Sequence, residues 1–346
     1  MTQRAKSSGQ MQALEFRKRL LAWYDAHARD LPWRKDHDPY RVWVSEIMLQ
    51  QTRVAAVIEH YHEFLRRFPT VKKLAAAREA SVLAAWSGLG YYRRARMLHA
   101  AAKVVARERG AKFPETAEGW RSLPGIGRYT AAAIASIAGG EPVAVVDGNV
   151  ERVLQRILGK RMSGEEFWLT AETLLDRHRP GDFNQAMMEL GATVCTPRTP
   201  ACLTCPVLEL CRTRGEMAGG DRAKRQNKRE IDYALHCRDG KVFLVQRPKE
   251  ARLMAGMWEL PQIDLPTLGE RQVRRSARSD GHHIDSPILI VRHSITVTDY
   301  TVRVWDRATP EGDAGKWVSY GKLSKMPLTG LARKVLRKAR LGAPKA

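Results

Sequence analysis

The chain has 346 residues, 44% of them apolar, and a formal net charge of +22 with a pI near 10.1. A chain of this length can bury an apolar core without disulfide bonds and has room for two domains. It shows neither a cleavable amino-terminal signal nor an apolar run long enough to cross a bilayer, so we expect a reducing, cytoplasmic setting and no membrane partner. The charge predicts a polyanionic partner, and a basic protein without one is the alternative.

The part of the chain up to residue 218 is predicted to be helical. Apolar residues recur there at helical spacing, and strand signals are almost absent. The predicted helices are Leu14–His27, Tyr40–Thr52, Val54–Arg67, Val82–Trp86, Ala95–Arg109, Tyr129–Ala138, Val150–Leu158 and Phe167–His178.

The part from residue 232 onward is predicted to be α+β. Its short β segments are Tyr233–Cys237, Lys241–Val245, Ile288–Arg292 and Tyr300–Trp305, separated by polar turns. Residues 219–231 are poor in apolar residues and rich in lysine and arginine, which predicts a basic linker. The fold class is therefore α + (α+β): an all-α domain over 1–218, a linker over 219–231 and an α+β domain over 232–346.

A tight turn, Leu123-Pro-Gly-Ile-Gly127, separates two of the predicted helices, the second of which opens at Arg128 or Tyr129. Gly125 and Gly127 remove side chains where the backbone turns sharply and leave amide groups free to bind an anion. With the basic Arg128 beside it, this turn is suited to a DNA phosphate. A plain connection between helices is the alternative.

Two carboxylates stand out from their surroundings. Asp147 follows an apolar run and precedes a predicted helix, so its simplest role is an N-cap, although it could also face a cleft and meet a developing positive charge. Glu46 has apolar neighbours in a helix that should be buried. A buried glutamate is expected to keep its proton near neutrality, as a general acid must. Pairing of Glu46 with Arg34 or Arg41 is the alternative.

Four cysteines, Cys195, Cys202, Cys205 and Cys211, are spaced C-x6-C-x2-C-x5-C. Thiols this close in sequence either form disulfides or hold a metal centre, and the reducing setting favours the metal. The number of thiolates alone does not distinguish an iron–sulfur site from zinc. Cys237 lies outside the pattern and is expected to pack as a small apolar residue.

The turn, the Asp147 segment and the cysteine spacing resemble the helix-hairpin-helix DNA glycosylases of the endonuclease III superfamily. Within it, the chain is similar to the adenine DNA glycosylase (MutY) branch. The motifs that support this similarity occur in order across roughly residues 14–212. They are Leu31-Pro-Trp-Arg34, Ser45-Glu-Ile-Met-Leu-Gln-Gln-Thr52, Gly88-Leu-Gly-Tyr-Tyr92, Val146-Asp-Gly-Asn-Val150 and Phe183-Asn-Gln-Ala-Met-Met-Glu-Leu-Gly191.

The resemblance implies a monofunctional N-glycosylase of base excision repair, a monomer in a bacterial cytoplasm. It would hydrolyse adenine from 8-oxoguanine:adenine mispairs in double-stranded DNA and, less efficiently, from guanine:adenine mispairs. By similarity, Glu46 protonates adenine at N7 and Asp147 stabilises the oxocarbenium-like sugar. Asn149 and Tyr129 support these two groups. In the lyase branch the position of Tyr129 is a lysine that forms a Schiff base, which a phenol cannot do.

The resemblance also implies a set of contacts to DNA and to a metal cluster. Gln51 and Tyr91 match positions that insert into the duplex, and Arg34 matches one that contacts the flipped base. The full set of matching DNA or substrate positions is Arg34, Gln51, Thr52, Leu89, Gly90, Tyr91, Gly125, Gly127 and Arg128. The four cysteines match the superfamily's [4Fe–4S] site, so that cluster is the implied cofactor.

The C-terminal part resembles the family's Nudix-related domain, which reads 8-oxoguanine. Gln246-Arg-Pro248 and Gly256–Pro261 support this, whereas Gly269–Ser276 lacks the acidic helix that binds magnesium in a Nudix hydrolase. The family's Phe-Ser-His lesion loop is replaced here by Ile295-Thr-Val297, which leaves Thr296 as the acceptor expected to bind 8-oxoguanine. Two other functions stay open: an iron–sulfur DNA-binding regulator without catalysis, and a lyase-type glycosylase for oxidised pyrimidines.

Overall fold

The computed structural model describes residues 3–217, 227–248, 250–251, 253–263, 286–295, 298–308 and 315–341. Thr296 and Gly269–Ser276 lie outside these ranges. The chain forms two compact units, which we term the helical unit (Met1–Ala76 and Arg94–Asp221) and the mixed unit (Ala77–Arg93 and Arg222–Ala346). Among the described helices, none is both long and apolar enough to cross a membrane.

The helical unit consists of helices joined by short connections. They are α1 (Gln3–His27), α2 (Pro39–Leu49), α3 (Val54–Arg67), α4 (Val71–Ala76), α6 (Arg93–Glu108, which begins at the unit boundary), α7 (Ala117–Arg121), α8 (Arg128–Gly139), α9 (Gly148–Leu158), α10 (Glu165–Leu174) and α11 (Pro180–Thr193). Short 3₁₀ turns follow at Cys202–Thr204 and Leu208–Leu210.

Helix α8 is the buried centre of the helical unit. Residues 131–135 are four alanines and Ile134, all buried, so α2, α7 and α11 can pack closely around it. A separate apolar core joins α1, α9, α10 and α11 through side chains such as Phe16, Leu154 and Phe183. The close packing of α2 against α8 sets the distance between the side chains that those two helices direct at each other.

The described residues of the mixed unit form two small sheets and two α-helices, α5 (Glu79–Ala85) and α12 (Gly330–Lys338). One sheet has the order β1-β6-β5, from Asn227–Ala234, Thr298–Trp305 and Leu289–Ile295, with β1 parallel and β5 antiparallel to β6. In the other, β3 (Lys241–Gln246) pairs with β2 (Cys237–Arg238), β4 (Trp258–Glu259) and β7 (Gly315–Ser319). Their common core includes Val242, Leu244, Val291, Val302, Val304, Leu331 and Val335.

Two helices end three or more residues earlier than predicted, each where an arginine from another helix binds its last carbonyl groups. Helix α2 ends at Leu49, and Arg94 donates to the carbonyls of Ile47 and Met48 at 2.9 Å each. Helix α10 ends at Leu174, where Arg17 donates to the carbonyls of residues 173 and 174, also at 2.9 Å. Such long-range caps satisfy the free carbonyls of a helix end and leave no local sequence signal.

The structure also corrects the predicted linker and the strand that follows it. Residues 227–231 are not linker but the start of β1, because they pair in parallel register with β6. Arg303 of β6 supports this pairing through ion pairs with Glu230 and Asp232 at 3.1 and 2.7 Å. The predicted strand Tyr233–Cys237 is interrupted after Ala234, so its last residue belongs to β2.

Some elements were not predicted at all. Helix α11 carries buried polar residues at Asn184, Gln185 and Glu189, which hide its apolar periodicity. Strands β4 and β7 are short or contain glycine and lysine, and helix α4 has only six residues. Residues 77–93, predicted within the all-α domain, group with the mixed unit. These features depend on contacts with residues distant in sequence.

Candidate active site

A cavity of about 310 Å³ opens in the helical unit between α2, α11 and the first turns of α8 and α9. It brings together the four residues predicted to act in catalysis and three of those predicted to bind DNA or substrate. These are Glu46, Asp147, Tyr129 and Asn149, followed by Arg34, Gln51 and Thr52. The volume is at the lower end of the range for small-molecule sites, which suits a single base.

Glu46 lines this cavity and is almost completely buried from solvent. It lies on α2 and is 5% exposed, and its Oε2 accepts a hydrogen bond of 2.9 Å from the hydroxyl of Tyr129. Burial raises the pKa of Glu46 to about 7, against the lowering effect of the Tyr129 hydrogen bond. The negative charge of Asp147 raises this pKa further, and Arg34 lowers it. A large fraction of Glu46 therefore keeps its proton at neutral pH.

The ion-pair alternative for Glu46 does not hold, because both arginines have other partners. Arg34 binds Glu189 through Nη2 at 2.9 Å, and Arg41 pairs with Asp36 on the surface. The buried carboxylate of Glu189 also accepts two hydrogen bonds from Arg29, at 2.6 and 2.8 Å. Glu189 thus pairs with both Arg29 and Arg34, and the hydrogen-bond partner of Glu46 is the neutral hydroxyl of Tyr129.

The cavity-lining residues that the sequence did not single out include Arg29, Gln185 and Glu189. Gln185 accepts from Arg34 Nε at 3.1 Å, so together with Glu189 it fixes the guanidinium of Arg34 at the cavity wall. The signal that singled out Glu46 also applied to Glu189, since both are carboxylates in apolar stretches. Arg29, which is partly exposed, had no comparable signal.

Asp147 caps α9, as its simplest predicted role requires, and it also lines the cavity. As the N-cap of α9, its Oδ1 accepts from the amides of Asn149 and Val150 at 2.9 and 2.8 Å. Its Oδ2 accepts from Asn149 Nδ2 at 2.9 Å, and the carboxylate lines the cavity. Capping therefore fixes the orientation of a carboxylate that also faces the space where a substrate would lie.

Helix α9 connects this carboxylate to the cysteine segment. Arg152 donates from Nη2 to Asn149 Oδ1 at 2.8 Å and from Nε to the carbonyl of Cys195 at 2.8 Å. One turn further along the helix, the buried Arg156 lies with Nη1 3.4 Å from Cys195 Sγ and donates to the Thr196 carbonyl at 2.7 Å. The cysteine segment and the Asp147–Asn149 pair are thus held by successive turns of one helix.

The four cysteines line a single small cavity of about 20 Å³ and are all free thiols of intermediate burial. The other lining residues are mainly apolar, such as Val153, Leu190 and Val207, and Arg156 supplies the positive charge. Four thiol donors with a hydrogen-bonding cation and limited solvent access fit the needs of an iron–sulfur cluster. Within the described ranges, no three or more Cys, His, Asp or Glu side chains are grouped so that they could hold one metal ion. The four thiols therefore suit a cluster by donor type and common location, and not by a preformed coordination geometry.

The two glycines of the hairpin turn differ in how closely other atoms surround them. Gly125 has φ +76°, and a Cβ there would collide with the side chain of Met97. Gly127, the N-cap of α8, would meet nothing within 4 Å. The amide groups at this end of α8 are therefore accessible to an anion. Arg128 is less available than predicted, because it pairs with Glu165 and stacks 3.9 Å above the ring of Trp168.

The two residues matched to duplex insertion share an unusual backbone conformation. Gln51 has φ +55° and Tyr91 has φ +47°, both in the left-handed region that side chains other than glycine rarely adopt. Such conformations recur at functional sites. Tyr91 is 44% exposed and follows Gly90, whereas Leu89 is buried. Gly90 and Tyr91 therefore form the accessible part of this loop, and the contact of Leu89 with DNA stays a prediction.

Comparisons with known proteins show which proteins the chain is similar to. The model of the HhH-GPD superfamily of base excision DNA repair proteins matches residues 44–166, and a NUDIX domain model matches residues 233–338. The chain is 40% identical over 337 residues to an adenine DNA glycosylase of Rattus norvegicus, covering 79% of this chain and 65% of the rat protein. It is 35% identical over 400 residues to an adenine DNA glycosylase of Mus musculus, covering 93% and 77%.

A solved structure, that of a thermostable thymine-DNA glycosylase, matches with a TM-score of 0.56 and 30% identity. The match covers 59% of this chain and 97% of that one. The chain spans 65% of the length of the rat protein, slightly less than two thirds. It matches nearly the whole of the solved glycosylase structure.

Proposed function

The chain belongs to the adenine DNA glycosylase family, and on that basis we propose that it is a monofunctional N-glycosylase acting on mispaired adenine. The predicted family is confirmed, as is the order of an all-helical helix-hairpin-helix domain followed by an α+β Nudix domain. The proposed substrate is double-stranded DNA with adenine opposite 8-oxoguanine or guanine, bound by a monomer during base excision repair. The observation that supports the reaction most directly is a glutamic acid with a pKa of about 7 facing an aspartate across one base-sized cavity.

Access to the cavity requires that adenine leave the duplex, at an unstacking cost of a few kcal/mol. The positive charge of the chain and the open amide groups of the hairpin provide binding energy to offset this cost. Arg34, fixed by Gln185 and Glu189, would orient the base by hydrogen bonds. In the bound complex the base would replace water around Glu46, which would keep its carboxyl group protonated.

The proton needed for departure of adenine would come from Glu46. Tyr129 donates to Oε2 of this residue, so the acidic proton belongs on Oε1, directed to N7 of adenine. As the glycosidic bond breaks, positive charge develops on the sugar, and the Asp147 carboxylate would stabilise it. Asn149 and the start of α9 hold Asp147 in a fixed orientation for this role. Water then adds its oxygen to the sugar carbon from which adenine has left, and its proton restores the acid form of Glu46.

Hydrolysis without strand cleavage is proposed because the cavity offers no amine. A lyase needs a nucleophilic amine that forms a Schiff base with the sugar. Of the described residues that line the cavity none is a lysine, and the corresponding hairpin position is Tyr129. This supports a monofunctional glycosylase over the lyase-type enzyme for oxidised pyrimidines. Likewise, a DNA-binding regulator would have no need of an acid and a carboxylate in one cavity.

The first expected result concerns strand breakage. Duplexes with adenine opposite 8-oxoguanine, guanine or thymine are incubated with the protein and then treated with alkali or left untreated. Breaks should appear only after alkali and be strongest opposite 8-oxoguanine, and borohydride should trap little covalent adduct. Tyr129→Lys, which places an amine in the cavity, serves as the positive control for trapping. Efficient trapping by the unmodified protein would support the lyase, and no alkali-sensitive product would support a non-catalytic protein.

We also propose that Cys195, Cys202, Cys205 and Cys211 hold a [4Fe–4S] cluster. Their common cavity and the hydrogen bond of Arg156 to Cys195 support this. When bound, the cluster would tie the cysteine segment together and so stabilise the far end of α9, whose beginning carries Asp147. A structural zinc site is the alternative.

The second expected result is the metal content. The protein isolated without oxygen should be brown and contain about four irons per chain. Cys202→Ser should lose most of this iron, whereas Cys237→Ser should retain it. The prediction that Cys237 packs as an apolar residue is wrong, because it is an exposed thiol of β2 in the mixed unit. Stoichiometric zinc without iron in the unmodified protein would replace the cluster by a zinc site.

Recognition of 8-oxoguanine by Thr296 stays a prediction, since this residue lies outside the described ranges. The neighbouring strands β5 and β6 form a hairpin in which Ile295 pairs with Thr298. Next to this pair, Ser294 donates a hydrogen bond to the carboxylate of Asp299. These two residues provide further hydrogen-bonding groups at the same end of the hairpin.

A further inference from the structure

The loop that presents Tyr91 is held at both ends by a single backbone carbonyl group. Ser87, just before the loop, donates from Oγ to the carbonyl oxygen of Leu328 at 2.9 Å. Tyr92, just after it, donates from its hydroxyl to the same oxygen at 3.0 Å. Both side chains are buried, so neither hydroxyl has bulk water as an alternative partner. All three residues belong to the mixed unit.

The carbonyl of Leu328 is itself fixed by the sheet of the mixed unit. On one side of it, Pro327 accepts from the amide of Trp258 at 2.9 Å, and on the other the amide of Thr329 donates to the Trp258 carbonyl at 2.9 Å. The side chain of Leu328 is part of the core of this unit. The acceptor is therefore a rigid extension of strand β4.

Holding both ends determines where the loop places Tyr91. The loop contains positive φ angles at Gly88, Gly90 and Tyr91, which free chains seldom adopt together. Trp86 Nε1 also donates to the carbonyl of Gly90 at 3.2 Å, which closes the loop from inside. Two buried hydrogen bonds to one acceptor use both of its lone pairs and leave the loop little freedom to shift.

We propose that Ser87 and Tyr92 are positioning residues that hold Tyr91 for insertion into the duplex through the carbonyl of Leu328. This inference rests on the proposed function. It means that the unit containing the predicted 8-oxoguanine hairpin also sets the position of the side chain that opens the base stack. Loss of the two hydroxyls should leave the catalytic cavity intact and weaken insertion.

The test compares Ser87→Ala/Tyr92→Phe with Tyr40→Phe. Tyr40 is a matched control, because its buried hydroxyl also donates to a backbone carbonyl, that of Phe68, at 2.7 Å in the helical unit. Insertion is followed by the fluorescence of 2-aminopurine placed beside the mispair, which rises when its neighbour in the stack is displaced. Excision is followed by single-turnover rates on the 8-oxoguanine:adenine duplex.

The double variant should lose most of the fluorescence rise and about tenfold in excision rate, since each lost hydrogen bond affects the rate severalfold. Tyr92→Phe alone, which keeps the ring in place, should shift both readouts in the same direction by less. Tyr40→Phe should leave both near normal. Equal losses in the double variant and in Tyr40→Phe would overturn the proposal, because the effect would then be one of general stability.

A second arm separates positioning from structure. In a Tyr91→Ala background, removing the Ser87 and Tyr92 hydroxyls should lower neither the excision rate nor the fluorescence any further. The reason is that the two hydroxyls act through the Tyr91 side chain, which is absent there. Additive losses would contradict the proposal. An unmodified protein without excision activity would refute the proposed function instead, and the fluorescence comparison would still decide whether Ser87 and Tyr92 position Tyr91.

Discussion

Glu46→Gln is expected to lower the single-turnover rate of adenine excision by about a thousandfold or more, with binding of the mispaired duplex nearly unchanged. Glutamine keeps the shape of the side chain and can still accept from the Tyr129 hydroxyl. It has no acidic proton to transfer to adenine. A rate within about tenfold of normal would exclude Glu46 as the general acid.

The pH dependence should identify the same group. Because burial raises the pKa of Glu46 to about 7, excision by the unmodified protein should fall as the pH rises through about 7. Tyr129→Phe removes a hydrogen bond that lowers this pKa, so the fall should move to higher pH. Single-turnover rates between pH 5 and pH 9, read at about half-unit steps, would show both effects. An unchanged profile in Tyr129→Phe would contradict the assignment.

The substitution Glu46→Gln should raise the stability of the protein at high pH, although it lowers its activity. The pKa of Glu46 is higher in the folded chain, about 7, than its ordinary value of 4.5. Its contribution to the free energy of unfolding is therefore fully present below pH 4.5 and is lost as the pH rises to about 7. Glutamine cannot ionise, so Glu46→Gln should be more stable than the unmodified protein at pH 8 by roughly 3–4 kcal/mol, and this advantage should vanish near pH 4.5. Denaturant titrations at the two pH values measure this difference.

Asp147→Asn is the second substitution expected to abolish excision, again by about a thousandfold or more. Asparagine is as good an N-cap as aspartate, so α9 should keep its start. The negative charge that faces the developing oxocarbenium ion is lost. In the unmodified protein Asn149 Nδ2 donates to Asp147 Oδ2. The amide nitrogen that replaces this oxygen is itself a donor, so this hydrogen bond is lost as well.

Asp38→Asn provides the matched control for this substitution. Asp38 caps α2 by accepting from the amides of Tyr40 and Arg41 at 2.8 and 3.4 Å, and it does not line the cavity. The same chemical change there should leave excision rates near normal. If Asp147→Asn kept normal single-turnover rates, or if both substitutions slowed excision equally, a charge role for Asp147 would be wrong.

The sequence by itself determined those features that follow from local rules. Helical periodicity and alternating strands predicted the change from an all-α to an α+β architecture, and the comparisons confirm that order. Cysteine spacing singled out four thiols that the fold places around one cavity. Apolar neighbours predicted that Glu46 is buried, and burial is the main cause of its raised pKa. Each of these inferences needs only residues close together in the chain.

Only the tertiary structure decided which distant residues meet. Glu46 is bound by Tyr129, 83 positions away, and not by Arg34, because that arginine forms its ion pair with Glu189 of α11. The ends of α2 and α10 depend on arginines from other helices. The assignment of residues 77–93 to the mixed unit, with Ser87 and Tyr92 bound to Leu328, had no local signal. Such pairings are set by how whole helices and sheets pack, and the energies that select them are sums over residues far apart in sequence.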